Sequence, residues 1–253
     1  MRRALISCAV LIAVALALSH YRLWSRSRRP PKLILWAWER PEDLRFIDPS
    51  EIAVAYLAGT IRLRDGAVDA VPRLQPLKVP PKTRVSAVVR IESSASASTR
   101  LAPAQREQAV SAILSMTNRP GTVGTQIDFD ARSSERAFYS DLLRDLRRRL
   151  PAGMALSITA LASWCMQDDW IAGLPIDEAV PMLFRMGPGD AEVRRRLRRG
   201  QDFSDPACRF SAGVSTDEPL PRLHYGRRVY IFHPRAWTAA AAANILREVR
   251  SWQ

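Results

Sequence analysis

Apolar residues in this chain gather in short runs that alternate with polar ones, separated by longer stretches whose apolar positions recur at helical spacing. Leu33 to Trp38 predicts a first strand and Ile52 to Leu63 a second, with a single helical turn over Asp43 to Phe46 between them. The second run continues through Ile61-Arg62-Leu63-Arg64-Asp65-Gly66-Ala67-Val68, where Asp-Gly between extended segments predicts a hairpin. Arg84 to Ile91 is the third strand. The small residues Ser93 to Thr99 predict a loop, and Ala104 to Met116 a helix with Val110, Ile113 and Leu114 on one side. Gly124 to Asp130 is the fourth strand. A helix follows from Ser133, its Phe138, Leu142 and Leu146 forming a buried stripe and Arg147-Arg148-Arg149 meeting the negative end of its dipole. Met154 to Ala162, Ala179 to Phe184, Arg209 to Val214 and Arg228 to Phe232 complete a set of eight strands, with helices over Gly189 to Arg199 and Trp237 to Val249.

Strands that alternate with helices predict a parallel sheet, and eight of them predict an α/β fold closed as a (β/α)8 TIM barrel. The pattern is irregular in two crossovers. The hairpin stands where the second helix belongs, and residues 218–227, with two prolines and a glycine, have no helical period. Residues 33–253 suffice for one such barrel, which takes about 200 to 250 residues.

Arg2 and Arg3 precede an apolar run from Ala4 to Leu18, followed by Arg22, Arg26, Arg28 and Arg29. A charged start and an apolar core of this length predict an export signal over residues 1–24, with a basic, proline-containing linker over 25–32. Ala15-Leu16-Ala17 offers a cleavage site. Extension of the run through Tyr21, Leu23 and Trp24 gives instead a membrane anchor, for which about 20 residues are wanted. Cys8 precedes the core of the run and is read as a bystander. Either route places the barrel in the cell envelope, periplasmic or otherwise outside the cytoplasm. The net charge of +13 and pI near 10.8 raise nucleic acid or an anionic surface as a partner. Lys32, Lys78 and Lys82 are the only lysines, however, and arginine abounds beside alanine and proline as a GC-rich coding sequence would produce. The charge is read as a solvated arginine surface, and no nucleic acid is expected.

In the fourth strand, residues two apart share a face, so Gln126, Asp128 and Asp130 point one way and Ile127 and Phe129 the other. A barrel exposes its chemistry at the C-terminal strand ends, where Asp130 falls. The eight ends carry Glu39, Tyr56, Glu92, Asp128 with Asp130, Trp164, Arg185, Asp217 and His233. Trp38 and Trp164 suit sugar stacking, Gln126, Arg185 and His233 are candidate polar contacts, and Glu39 and Glu92 are candidate second carboxylates. Repulsion from Asp128 is expected to raise the pKa of Asp130, as a general acid requires. The plain alternatives are a helix cap at Asp130 and an ion-pair cluster of both aspartates with Arg132 or Arg185. His233 equally suits a local bond at its strand end. The three histidines form no zinc pattern and the Asp-x-Asp pair lacks further ligands, so neither metal nor cofactor is expected. Phosphate loop, nucleophile elbow and dinucleotide fingerprint are all missing. In an exported chain Cys165 and Cys208 would form a disulfide, whereas in the cytosol both would remain thiols.

The run Gly124-Thr125-Gln126-Ile127-Asp128-Phe129-Asp130 resembles the fourth-strand signature of chitinase-type glycosidases: a glycine, a spacer, and acids at three alternate positions, the last being the general acid. Gln126 departs from the first acid, and Asp130 replaces glutamate with one methylene less of reach. More of the chain, including Leu35-Trp36-Ala37-Trp38-Glu39 and the run from Leu156 to Cys165, resembles a bacterial family known only as a domain of unknown function. The resemblances imply a glycoside-hydrolase-like barrel acting on an extracellular or cell-envelope polysaccharide, with Asp130 as acid and Asp128 as its partner. The alternative is a glycan-binding or scaffolding barrel that cleaves nothing.

Overall fold

The structure, a computed structural model, describes residues 31–64, 66–94, 101–221 and 223–250. The export segment, most of the linker and most of the loop after the third strand lie outside these residues. Among the described residues no helix is long and apolar enough to cross a membrane.

Strand β1 (Leu33–Ala37) is buried at every position, as a strand lining a filled barrel must be. The chain then makes β2 (Glu42–Asp43) and returns through β3 (Ile52–Arg64), which is long enough to pair with β1 at its start and to project beyond it. The projecting half turns into β4 (Ala67–Pro72), antiparallel to it from Arg64 opposite Ala67 to Gly59 opposite Pro72. This is the hairpin in place of a helix. Gly59 also marks a shift of register against the next strand, and a Cβ there would meet Met116 Sδ at 2.6 Å and Val71 O at 2.7 Å. After β5 (Leu77–Lys78) come β6 (Val85–Ser93), helix α1 (Pro103–Thr117), β7 (Thr122–Asp128), α2 (Arg136–Arg149) and β8 (Ala155–Leu161). The remainder is α3 (Ala162–Gln167), β9 (Glu178–Met182), α4 (Asp190–Arg198), β10 (Ser211–Ser215), β11 (Arg228–Phe232) and α5 (Ala239–Val249).

Eight of these strands pair in parallel around a closed ring, β1-β3-β6-β7-β8-β9-β10-β11, which β11 completes by setting Val229 opposite Leu33. The fold is an irregular (β/α)8 barrel, and among the described residues no helix links β10 to β11. One apolar cluster lies inside the ring, with Ile34, Trp36, Val88, Val180 and Tyr230, while two others lie between the ring and its covering elements.

Two expectations fail locally. The helical turn over Asp43 to Phe46 is not formed: Glu42 and Leu44 donate to the carbonyls of Pro76 and Lys78, so β2 and β5 satisfy this backbone as a small parallel pair. The strand expected to end at Ala162 stops at Leu161, and α3 begins with no loop between. That change moves Trp164 off the rim.

Candidate active site

At the C-terminal strand ends a cavity of about 250 Å³ opens over the barrel interior. Trp36 reaches it from below, buried to 3% exposure, its ring 5.2 Å from Tyr230 and 6.2 Å from Phe184. Gly213 makes room for this indole, because a Cβ there would stand 2.9 Å from the ring. The wall opposite β7 is aromatic: Phe184 stacks on Phe232 at 5.7 Å, Trp38 meets Phe232 edge-on at 6.1 Å, and the Arg185 guanidinium lies 5.1 Å from the Phe232 centroid.

The β7 side carries the acids. Alternation along the strand sends Ile127 and Phe129 into the core beneath the helices, so Asp128 and Asp130 face the cavity. The register sets Arg90 opposite Asp128, and Thr159 of β8 donates its hydroxyl to Asp128 Oδ1 at 2.6 Å. Burial pushes the Asp128 carboxyl up to about 6, with the negative charge of Asp130 adding to the rise and the Thr159 bond opposing it. Burial also raises Asp130, against the lowering influence of Arg90. Both carboxyls are therefore raised, each chiefly by burial. Asp130 borders a second hollow of about 230 Å³, formed with Arg90, Glu92, Ser93 and Arg132.

Neither plain alternative describes Asp130. Arg132 N–H is capped by Glu135 Oε2 at 2.8 Å, and neither Arg132 nor Arg185 makes an ion pair with the two aspartates. Arg90 is the nearby cation, and its own ion pair is with Glu92 at 3.2 Å.

Several expected contacts fall elsewhere. Trp164 is 4% exposed and packs edge-on against Trp170 at 4.8 Å, because α3 turns it into the layer outside the ring. Gln126 is a structural residue below the cavity: its Oε1 accepts from Trp36 Nε1 at 2.9 Å and its Nε2 donates to Ser157 Oγ at 3.3 Å. Glu39 is exposed and outside the lining, and Glu92 is held by Arg62 and Arg90 in the adjoining hollow. His233 bonds Thr216 Oγ1 through Nδ1 at 2.6 Å and packs on Trp237 at 4.8 Å, so it too is outside the cavity. Tyr56 lies opposite Ala37 within the sheet and packs on the outer clusters rather than at a strand end. Trp38, Arg185, Asp128 and Asp130 do come together. Trp36, Arg90, Thr159, Phe184 and Phe232 join them, of which only Trp36 had a signal in the sequence, two residues before Trp38 on the same face. Cys165 and Cys208 are bonded, with Cα atoms 5.9 Å apart. Among the described residues no group of three or more His, Cys, Asp or Glu is placed to hold a metal ion.

Residues 81–181 match the family described as a domain of unknown function, DUF3142. No curated protein matches the sequence. Solved structures with similar folds include the spore cortex-lytic enzyme SleL of Bacillus cereus, 17% identical with a TM-score of 0.47, covering 88% of this chain and 59% of that one. The chitinase domain of the spore coat protein CotE from Clostridium difficile is 15% identical with a TM-score of 0.43, covering 79% and 67%. A fungal endo-β-N-acetylglucosaminidase of glycosyl hydrolase family 18 is 13% identical with a TM-score of 0.45, covering 88% and 87%. This chain therefore spans about three fifths of SleL's length.

Proposed function

We propose that the barrel mouth binds and hydrolyses a cell-envelope or extracellular polysaccharide built from N-acetylated sugars, with Asp130 as general acid and Asp128 as its partner. The carrying observation is the pairing of two carboxyls, both with raised pKa, beside an aromatic cavity at the C-terminal end of the barrel. A sugar ring presents apolar faces to Trp38 and Phe232 while its bridging oxygen turns toward Asp130. Burial favours the protonated carboxyl, which is the form that can donate to a leaving oxygen.

Asp128 and Asp130 are the only carboxylates among the described residues lining the cavity, and both belong to one strand end. A mechanism with an enzyme nucleophile or base across the ring needs a second carboxylate on the opposite wall, about 5 to 9.5 Å away. The substrate's own acetamido oxygen fills that role in substrate-assisted cleavage. Asp128 then orients the acetamido N–H and stabilises the charge that develops on it.

Asp130→Asn tests the assignment on chito-oligosaccharides. Turnover is expected to fall by about 10² to 10⁴ with the melting temperature nearly unchanged. A rate that survives the substitution ends this reading. Binding of the same oligosaccharides without hydrolysis by either protein would favour a non-catalytic glycan-binding barrel, a reading to which the shortened acid and the engagement of Gln126 with Trp36 also point.

The same proposal places the barrel outside the cytoplasm, supported by the apolar run at 4–18 and the Cys165–Cys208 bond. Alkaline phosphatase fused after Gln253 should be active, and free thiols at both positions in unreduced protein would count against export.

A further inference from the structure

At the end of the barrel opposite the mouth, the segments entering β10, β11 and β1 lie side by side. Arg228 N–H donates to Phe210 O at 2.9 Å and Val229 N–H to Lys32 O at 2.7 Å. Two large rings project there, Phe210 at 59% exposure and Tyr225 at 79%, with the Lys32 ammonium 5.7 Å from the Tyr225 centroid. Arg209 stands exposed beside Phe210, and exposed Arg84 and Arg119 precede β6 and β7 at the same end.

The acids at this end are largely engaged. Glu51 pairs with Arg250, Asp177 with Arg147, Asp202 with Arg227 and Glu178 with Arg228, while Asp48 accepts from Ser50. Among the described residues Lys32, Arg84, Arg119 and Arg209 make no ion pair, so the surface keeps a positive excess around two exposed rings. The sequence leads into Lys32 from an apolar run at 4–18 and from Arg22, Arg26, Arg28 and Arg29.

We infer that this base is a docking surface for an anionic phospholipid membrane. Tyrosine and other amphipathic rings favour the headgroup region, and basic residues around them gain from the negative surface potential. A soluble polyanion would be held by the cations alone and gives no role to Phe210 and Tyr225. Because the strands run from base to mouth, docking by this face turns the cavity away from the lipid. The inference concerns the opposite end of the barrel from Asp130 and stands whether or not the cavity is catalytic.

The test is hydroxyl-radical footprinting of the full chain alone, with phosphatidylcholine vesicles, and with vesicles containing one third phosphatidylglycerol. Oxidation of Phe210 and Tyr225 should fall only with the anionic vesicles and recover at high salt, with Trp38 and Phe232 at the mouth unaffected. In a Lys32→Ser/Arg84→Ser protein that melts normally, the anionic lipid needed for half-maximal protection should rise by about twenty-five-fold, at roughly fivefold per charge. Unprotected rings on anionic vesicles overturn the inference, including the case where the chain is vesicle-bound through other residues. Protection without lipid at high protein concentration would identify a second copy as the occupant, and protection by a soluble anionic polysaccharide alone would identify a glycan; either result overturns it.

Discussion

The mouth and the base of this barrel are made from opposite ends of the same parallel strands, yet they treat charge in opposite ways. At the mouth, Asp128 and Asp130 are brought beside Trp36, Phe184 and Phe232, and burial raises both carboxyls. At the base, Lys32, Arg84, Arg119 and Arg209 stay in solvent, and among the described residues no strand or helix covers the exposed rings of Phe210 and Tyr225. At the mouth the fold withdraws its carboxyls from water and so favours their protonated form, whereas the cations at the base keep their full charge in solvent, so the mouth has the means for proton transfer and the base for long-range attraction.

The largest effect that would break this contrast is the response of turnover to Asp130→Asn. The expected loss corresponds to about 3 to 5 kcal/mol of transition-state stabilisation, and no substitution of a basic residue at the base should approach it. Trp36→Ala comes next. This indole separates the cavity from the interior and donates to Gln126, so its removal should cost about 3 to 5 kcal/mol by chemical denaturation and lower glycan affinity as well. A stable protein with an unchanged cavity would show that the floor of the mouth is not the indole.

The third test is the pH dependence of stability. Asp128 holds its proton up to about 6 in the folded chain and loses it lower in the unfolded one, so the folded state binds more protons in between. Stability is therefore fully present below the unfolded value and falls as pH rises through the folded one. Thermal melts from about pH 4 to pH 7 should show a decline of the order of 1 to 3 kcal/mol that Asp128→Asn removes in part. A steeper decline in the variant would reverse the assignment. The smallest effects belong to the base: Lys32→Ser and Arg84→Ser should each change stability by less than about 0.5 kcal/mol and leave glycan turnover unaltered. A large loss of either would mean that these cations are structural.

The readable parts of the chain were those governed by local rules. Alternation placed Ile127 and Phe129 in the core and Asp128 and Asp130 opposite them, and the hairpin predicted between the extended runs appears as the antiparallel pairing that sets Arg64 opposite Ala67. The order of strands and helices was enough for a closed parallel barrel, and β11 falls on Arg228 to Phe232 as its apolar run predicts. Trp38 and Trp164 looked equivalent because each follows an apolar run. Only the fold separates them: β1 ends in a loop that leaves Trp38 at the opening, whereas β8 passes directly into α3 and carries Trp164 outside the ring. Gln126 likewise shares a strand face with the aspartates but sits one layer deeper, where Trp36 and Ser157 occupy it. A period of two residues determines which way a side chain points along its own strand. How deep it lies, and which side chains from other strands meet it there, depends on inter-strand register and on the closing of the ring, because residues such as Arg90, Asp128 and Thr159 become neighbours only when three separate strands pair.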